Sequence, residues 1–245
     1  MSSRFLRRAD PQTIVQKLVQ KSIFDNKLIE EGDRILIAAS GGKDSTVLAW
    51  ALSSIKPALK INYELSAIHI SSDFCSCCKK SKLSAKLSEW GISFKDIFVP
   101  IIGRLKEGRK MNCYWCSTQR RTELLNYAVK NNFNKIALGH HLDDIVETFF
   151  MNLCTKSKLE TMPILLKYRK YPVMLIRPLA LLEEKQIIAC AEELDILAAA
   201  CTCPYGVNSR RRDFRRSIAA FIEEAGMDAG AVKRQILAAI SQTDC

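Results

Sequence analysis

Along the chain, short apolar runs alternate with longer stretches in which apolar positions recur at helical spacing. The runs Arg34 to Ala39, Leu65 to Ile70, Phe94 to Val99, Lys135 to Gly139 and Val173 to Ile176 predict strands. Between them, Thr46 to Ser54, Ser81 to Trp90, Thr118 to Asn131 and Asp143 to Leu153 predict helices. This alternation is that of an α/β protein, a five-stranded parallel sheet covered by helices on both faces. Upstream, Asp10 and Pro11 pair as N-cap and first-turn residue, and Ile14, Val15, Leu18, Val19 and Ile23 share one face of a helix that should pack beside the sheet. After about Cys154 the texture becomes basic and Pro-punctuated, through Lys156, Lys158, Pro163, Lys167, Arg169, Lys170 and Pro172. A small helical tail follows, with helical spacing over Glu183 to Leu194, Phe214 to Glu224 and Ala229 to Ile240. The expected division is an N-terminal helical extension over 1–30, a main α/β domain over 31–180 and a helical C-terminal region over 181–245.

Composition narrows the partners. With 245 residues, 48% of them hydrophobic, the chain can bury a sizeable core. Lys and Arg number 37 against 26 Asp and Glu, a formal charge of +11 that favours a polyanion, nucleic acid ahead of membrane. No run approaches the roughly 18 consecutive apolar residues of a membrane span. The start, Met1 to Arg8, lacks the apolar stretch of a signal peptide, so a cytoplasmic location is expected. In a reducing compartment the ten cysteines are a poor disulfide framework, which raises metal binding or sulfur chemistry instead.

The segment Ile35 to Thr46 runs from a buried strand through a glycine pair into a helix. Gly41 and Gly42 permit a tight turn and let backbone N–H groups approach an anion at the positive end of the helix. An ordinary glycine turn would not account for the added Lys43, Asp44 and the hydroxyls of Ser40 and Ser45. The spacing is neither that of a Walker A loop nor that of the dinucleotide fingerprint. Ser40-Gly41-Gly42-Lys43-Asp44-Ser45 resembles the SGGxDS pyrophosphate loop of the PP-loop ATPases. The resemblance implies a parallel-sheet fold, a grip on the pyrophosphate of ATP, and transfer of AMP to an acceptor.

Gly139, His140, His141, Asp143 and Asp144 follow a strand and open a helix, so they should lie at the carboxyl edge of the sheet beside this loop. Asp143 and Asp144 at a helix start can be plain capping residues. Beside a polyphosphate site they become candidates to hold Mg²⁺ or orient water, with Asp44 a third. The stretch is similar to the GHHxDD segment of the tRNA-modifying PP-loop branch, which adds Gly139 and Asp144 to the ATP-binding candidates. His69 ends the second predicted strand near the expected adenine pocket, where a filler role competes with ligand binding.

Cys113 and Cys116 form a CxxC just before the helix predicted from Thr118, a position that favours thiolate and hence metal ligation or nucleophilic sulfur. Cys201 and Cys203 are the distant partners. The order of SGGKDS, CxxC with Gln119-Arg120-Arg121, the Gly-His-His segment, Ile176-Arg177-Pro178-Leu179 and the late cysteine pair resembles the tRNA 2-thiocytidine synthetases (TtcA-type), over about residues 30 to 216. That resemblance implies a [4Fe–4S] cluster on Cys113, Cys116 and a late cysteine, Cys203 with Cys201 as the alternative. If all four thiolates held one ion, a closed zinc site would result. Cys75, Cys77 and Cys78 have no counterpart in the family pattern and read as an exposed reduced loop, or as a sulfur relay or second metal site. Cys154, Cys190 and Cys245 read as packing or tail residues.

Arg210, Arg211, Arg212, Arg215 and Arg216, with Arg120, Arg121, Lys156 and Lys158, could ring the site as phosphate contacts for RNA, though a charge run can also be a solvated face. The family resemblance then implies ATP-dependent tRNA thiolation at C2 of an anticodon-loop cytidine. Lys43, Asp44, Asp143, Cys113 and Cys116 would carry the chemistry, and ATP, Mg²⁺ and the cluster would be the cofactors. The expected partners are tRNA, a sulfur donor (sulfide or a cysteine desulfurase), a reductant and, in the assembly, a second copy. Two rival readings fit the same residues: adenylation of another acceptor such as a uridine or an amide-forming substrate, and a non-catalytic RNA module holding zinc and nucleotide.

Overall fold

The computed structural model describes residues 10–74, 80–196 and 210–243, with side chains described except at 80, 210–212 and 241–243. In chain order the elements are α1 (Pro11–Asp25), β1 (Asp33–Ala38), α2 (Lys43–Ser54), α3 (Lys56–Leu59), β2 (Tyr63–Ser72), α4 (Lys80–Glu89) and β3 (Ser93–Val99). They continue with α5 (Cys113–Lys130), β4 (Lys135–Ala137), α6 (Leu142–Lys156), β5 (Leu165–Lys167), β6 (Met174–Ile176), α7 (Glu184–Glu193), α8 (Arg210–Glu224) and α9 (Ala229–Thr243). The sheet order is β3-β2-β1-β4-β6-β5. Its first five strands are parallel and correspond to the expected ones, whereas β5 pairs antiparallel with β6 and makes a sixth at the edge. Three residues inside a basic, Pro-bounded connection carry too little periodicity to announce a strand. It forms because Leu165, Leu166 and Lys167 find the open edge of β6.

Burial alternates along β1 as the pleat requires: Ile35 and Ile37 enter one core, and Leu36 enters the other. On the first face, Val15, Val19 and Ile23 of α1, Val47, Leu48 and Leu52 of α2, Leu87 of α4 and Ile187 and Cys190 of α7 cover the sheet. On the second, Leu124, Leu125 and Ala128 of α5 and Phe133 pack on Leu36, Ile68 and Ile136. At roughly 1.5–3 kcal/mol for each fully buried aliphatic side chain, these two layers dominate the stability of the fold. α1 begins as its sequence dictates, with the Asp10 carboxylate accepting the Thr13 N–H at 3.0 Å and Pro11 in the first turn. A third, smaller cluster joins Leu142, Ile145 and Val146 of α6 to Leu237 of α9, with Ile218 of α8 packed against it. Thus α7 belongs to the main core, while α8 and α9 sit on α6.

Strand order reverses between β1 and β4, and ligands of open α/β sheets bind at the carboxyl ends of strands flanking such a reversal. The segments that follow β1 and β4 are the Ser40–Ser45 loop and the Gly139–Asp144 segment. Among the described residues no helix is long and apolar enough to cross a membrane.

Candidate active site

The loop after β1 takes its shape from Gly41, at φ +82°, a conformation costly for any residue with a side chain. Gly42 then N-caps α2 with no side chain satisfying the helix end. Hydroxyls stiffen the turn from within: Ser45 and Thr46 each donate to the Gly42 carbonyl at 3.0 Å, and the Ser40 and Ser45 oxygens lie 3.1 Å apart. The Gly42 N–H reaches the Ser40 hydroxyl at 3.4 Å, and no side chain caps the helix end, which leaves the start of α2 open to an anion. The second segment is fitted against the first. A Cβ on Gly139 would stand 3.0 Å from the Asp44 carbonyl carbon and the Ser45 nitrogen, so any other residue would have to push this backbone away. His69 is buried in β2, which extends past it to Ser72, and its Nδ1 lies 2.7 Å from the carbonyl of Ala39, the residue before the loop. It braces the entrance to the loop from below.

Around this loop the charges are paired. Lys43 Nζ lies 2.8 Å from Glu184 and 3.1 Å from Asp44. Burial alone would pull the ammonium pKa down, but the bonds and charges of Glu184 and Asp44 outweigh it and raise it. Glu184 also pairs with Arg215 at 2.7 Å. Arg215 further binds Glu147 and lies 3.4 Å from Asp144. Asp143 accepts from Lys233 at 2.6 Å and from the Glu184 N–H at 2.7 Å. Burial should raise its carboxyl pKa, yet His141, Lys233 and that N–H hold it well below the usual range. His141, buried at the start of α6, stands 3.4 Å from Asp143 and 3.5 Å from Asp144. Its burial disfavours protonation, but Asp143, Asp144 and Asp44 together raise its pKa. Two carboxylates thus flank one imidazole beside the phosphate loop.

This arrangement revises several expectations. Asp144 caps α6 by accepting the His141 N–H at 3.2 Å, and both oxygens of Asp143 are engaged inside the protein. Arg215, expected among the RNA contacts, faces inward onto three carboxylates, while Arg216 is exposed and pairs locally with Asp213 at 2.7 Å. Lys156 and Lys158 lie at and just beyond the exposed end of α6. Arg120 is half-buried, its guanidinium 3.4 Å from the Ser72 hydroxyl, and Arg121 is exposed. The side chains of Arg210, Arg211 and Arg212 lie outside the description, as do Cys75, Cys77, Cys78, Cys201 and Cys203 in their entirety.

Sequence periodicity missed Glu183, Glu184, Lys233 and Arg177. The Glu-Glu pair at the start of α7 and the Lys of α9 look like ordinary solvent-facing charges, and only tertiary packing brings them to Asp143 and Lys43. Arg177, in the Ile176-Arg177-Pro178-Leu179 string, is buried just past the end of β6. It donates to His140 Nδ1 at 3.2 Å and to the Pro163 carbonyl. Burial lowers its pKa to about 10. Its bond to Nδ1 holds His140 as the tautomer that carries its proton on Nε2.

Cys113 and Cys116 are not before a helix but in the first turn of α5, which starts five residues earlier than its periodicity indicates because Asn112 caps it, accepting the Trp115 N–H at 2.9 Å. Three positions apart on a helix, the two thiols share one face. Cys113 is exposed and Cys116 half-buried. Cys190 is fully buried and Cys154 exposed. Among the described residues no three His, Cys, Asp or Glu side chains form a metal-holding group.

A phosphate-ready loop and a His-Asp-Asp helix start, meeting where the sheet order reverses, define a nucleotide-dependent α/β enzyme class. In agreement, the model of the PP-loop domain family matches residues 11–199, and the chain belongs to that family. Within it, the chain is 35% identical over 216 residues to a tRNA-cytidine(32) 2-sulfurtransferase of Syntrophotalea carbinolica, covering 86% of this chain and 83% of that protein. It is 33% identical to the protein of the same name in Geobacter metallireducens, covering 91% and 87% of the two chains. Among solved structures, the U34-tRNA thiolase NcsA of Methanococcus maripaludis, described with its [4Fe–4S] cluster, superposes with a TM-score of 0.77 at 24% identity. That match spans 95% of this chain and 78% of the other, and it establishes a shared fold.

Proposed function

We propose that the protein is an ATP-dependent tRNA sulfurtransferase that replaces the C2 oxygen of an anticodon-loop cytidine with sulfur. The observation that carries this reading is the juxtaposition of the uncapped Gly42–Lys43 helix start with Gly139, in a chain whose near full-length relatives bear that activity in their names. The backbone N–H groups opening α2, with Ser40, Gly41, Ser45 and Lys43, hold the pyrophosphate of ATP. To reach it, Lys43 exchanges Glu184 for phosphate oxygens. The cytidine C2 oxygen attacks the α-phosphorus, the bond to the bridging oxygen breaks, and pyrophosphate leaves onto the loop. The adenylated oxygen then leaves as AMP when sulfur bonds to C2.

Asp44, which flanks the loop and pairs with Lys43 at 3.1 Å, suits Mg²⁺ bound to the triphosphate. Asp143 and Asp144 could join it only if Lys233 and Arg215 withdrew, so their role here is to hold the C-terminal helices in place. Cys113 and Cys116 fit thiolate ligation, since they share one face of an accessible turn and need a third donor, Cys203 or Cys201. A [4Fe–4S] cluster held there would supply the sulfide. His140, whose Nδ1 accepts from Arg177, keeps its proton on Nε2. A cytoplasmic location, a sulfide or cysteine desulfurase donor, a reductant and a homodimer complete the reading.

Nucleoside mass analysis of tRNA incubated anaerobically with the protein, ATP, Mg²⁺ and sulfide tests it. Formation of 2-thiocytidine is expected. Unmodified tRNA would overturn the thiolation reading, and 2-thiouridine would overturn the choice of base.

A further inference from the structure

Between the two cysteines of α5 stands a tyrosine presented to solvent on an anchored turn. Tyr114 is 81% exposed. Its neighbour Trp115 is half-buried against the α5 core, and the Trp115 indole donates to the Ile101 carbonyl at 3.1 Å. The Asn112 cap holds the Trp115 N–H at 2.9 Å. From the other side, the hydroxyls of Ser117 and Thr118 donate to the Tyr114 carbonyl at 2.9 and 2.8 Å. The backbone of Tyr114 is thus fixed while its ring contributes little burial and stays open to a ligand.

The approach to this ring is basic. Asp73 accepts the N–H groups of Ile102 at 2.9 Å and Gly103 at 3.1 Å, pinning the start of the segment that leads to Asn112. That segment exposes Arg104, Lys106, Arg109 and Lys110 against a single carboxylate, Glu107. Arg104 is paired with Glu123 at 2.6 Å. An exposed aromatic face on a fixed turn, at the end of a basic segment, suits an unstacked nucleobase: the ring can take the base and the cations its phosphates.

We infer that Tyr114 is a stacking platform for an unpaired base of the RNA, holding it beside the Cys113–Cys116 turn. The inference rests on the thiolation reading for the identity of the RNA, but the recognition is of single-stranded RNA in general. The test uses the full chain, purified without air, with the variants Tyr114→Ala and Tyr114→Phe compared at equal iron content and equal melting temperature. The probe is a stem-loop RNA carrying fluorescent 2-aminopurine at an unpaired loop position, with a blunt duplex as control. Tyr114→Ala should weaken stem-loop binding about tenfold and abolish the fluorescence quenching, leave duplex binding unchanged, and be rescued by Tyr114→Phe. Wild-type affinity in Tyr114→Ala, or equal loss in Tyr114→Phe, would overturn the inference. Because binding is read without product, a wild-type protein that thiolates nothing would sink the enzymatic reading while this assay still decides the role of Tyr114.

Discussion

The two sides of the proposed site are built on opposite principles. Around the phosphate loop, Lys43, Asp143, Asp144, Glu147, Glu184, Arg215 and Lys233 pair with one another across five elements, and a glycine is wedged against the helix start. On the thiol side, Cys113, Tyr114 and the segment leading to them are exposed, with the backbone fixed by the Asn112 cap and the Asp73 carboxylate. An anion cradle needs donors that are already in place, because reorganising them during the reaction would cost transition-state stabilisation. A surface that receives a folded RNA must stay accessible, so its rigidity comes from the chain and not from cover. Substitutions on the first side should therefore be felt in folding, and those on the second chiefly in function.

The largest folding effect is expected at Gly139. In Gly139→Ala the new methyl group would meet backbone atoms at 3.0 Å, which no side-chain rotation relieves. Overpacking of this kind costs roughly 1–3 kcal/mol, read as a shift of the urea midpoint, and should be accompanied by loss of ATP binding. A variant with unchanged midpoint and ATP affinity would show that the two segments are not in contact. Next comes Lys233→Met, which leaves the half-buried Asp143 carboxylate without its cation and should cost about 2 kcal/mol. Combined with Asp143→Asn, the loss should be clearly less than additive, since the second change removes the charge that the first left unpaired. Additive losses would break the proposed anchoring of α9 on α6.

A smaller effect separates the two sides by their thiols. Burial, with Glu193 and Asp10 nearby, pushes the Cys190 thiol up to about 12, from an ordinary value of 9.0. Between those two values the unfolded thiol is ionised and the folded one is not, so unfolding releases a proton and stability falls as pH rises through that window. At neutral pH the folded protein should leave Cys190 unalkylated while the exposed Cys113 reacts, as peptide mass mapping after timed iodoacetamide treatment would show. Equal labelling of the two would place Cys190 outside the core.

Much of this was legible from the chain. The alternation of apolar runs and helical faces predicts five parallel strands and their covering helices, because both faces of β1 must be apolar and Ile35, Leu36 and Ile37 are. Ser40 to Ser45 and Gly139 to Asp144 are legible since short turns with glycine and paired acids carry local chemistry. Harder to read was the start of α5. Cys113 and Trp115 lie outside the amphipathic period, and the cap comes from Asn112, a residue equally at home in a loop. The roles of Lys233, Glu184 and Arg215 were invisible for a different reason. Each lies on a helix whose own pattern is satisfied by solvent exposure, and only long-range packing, of α7 on α1 and α2 and of α8 and α9 on α6, gives the charge a partner.

The most direct measurement is made on Cys113→Ser, whose exposed site should leave the melting temperature nearly unchanged. On one preparation, tRNA-dependent pyrophosphate release and 2-thiocytidine formation are followed together. Retained pyrophosphate release with no thiolated base is the expected result, since the loop side remains intact and the thiol side is broken. Thiolation at the wild-type rate would contradict the division of labour between the two.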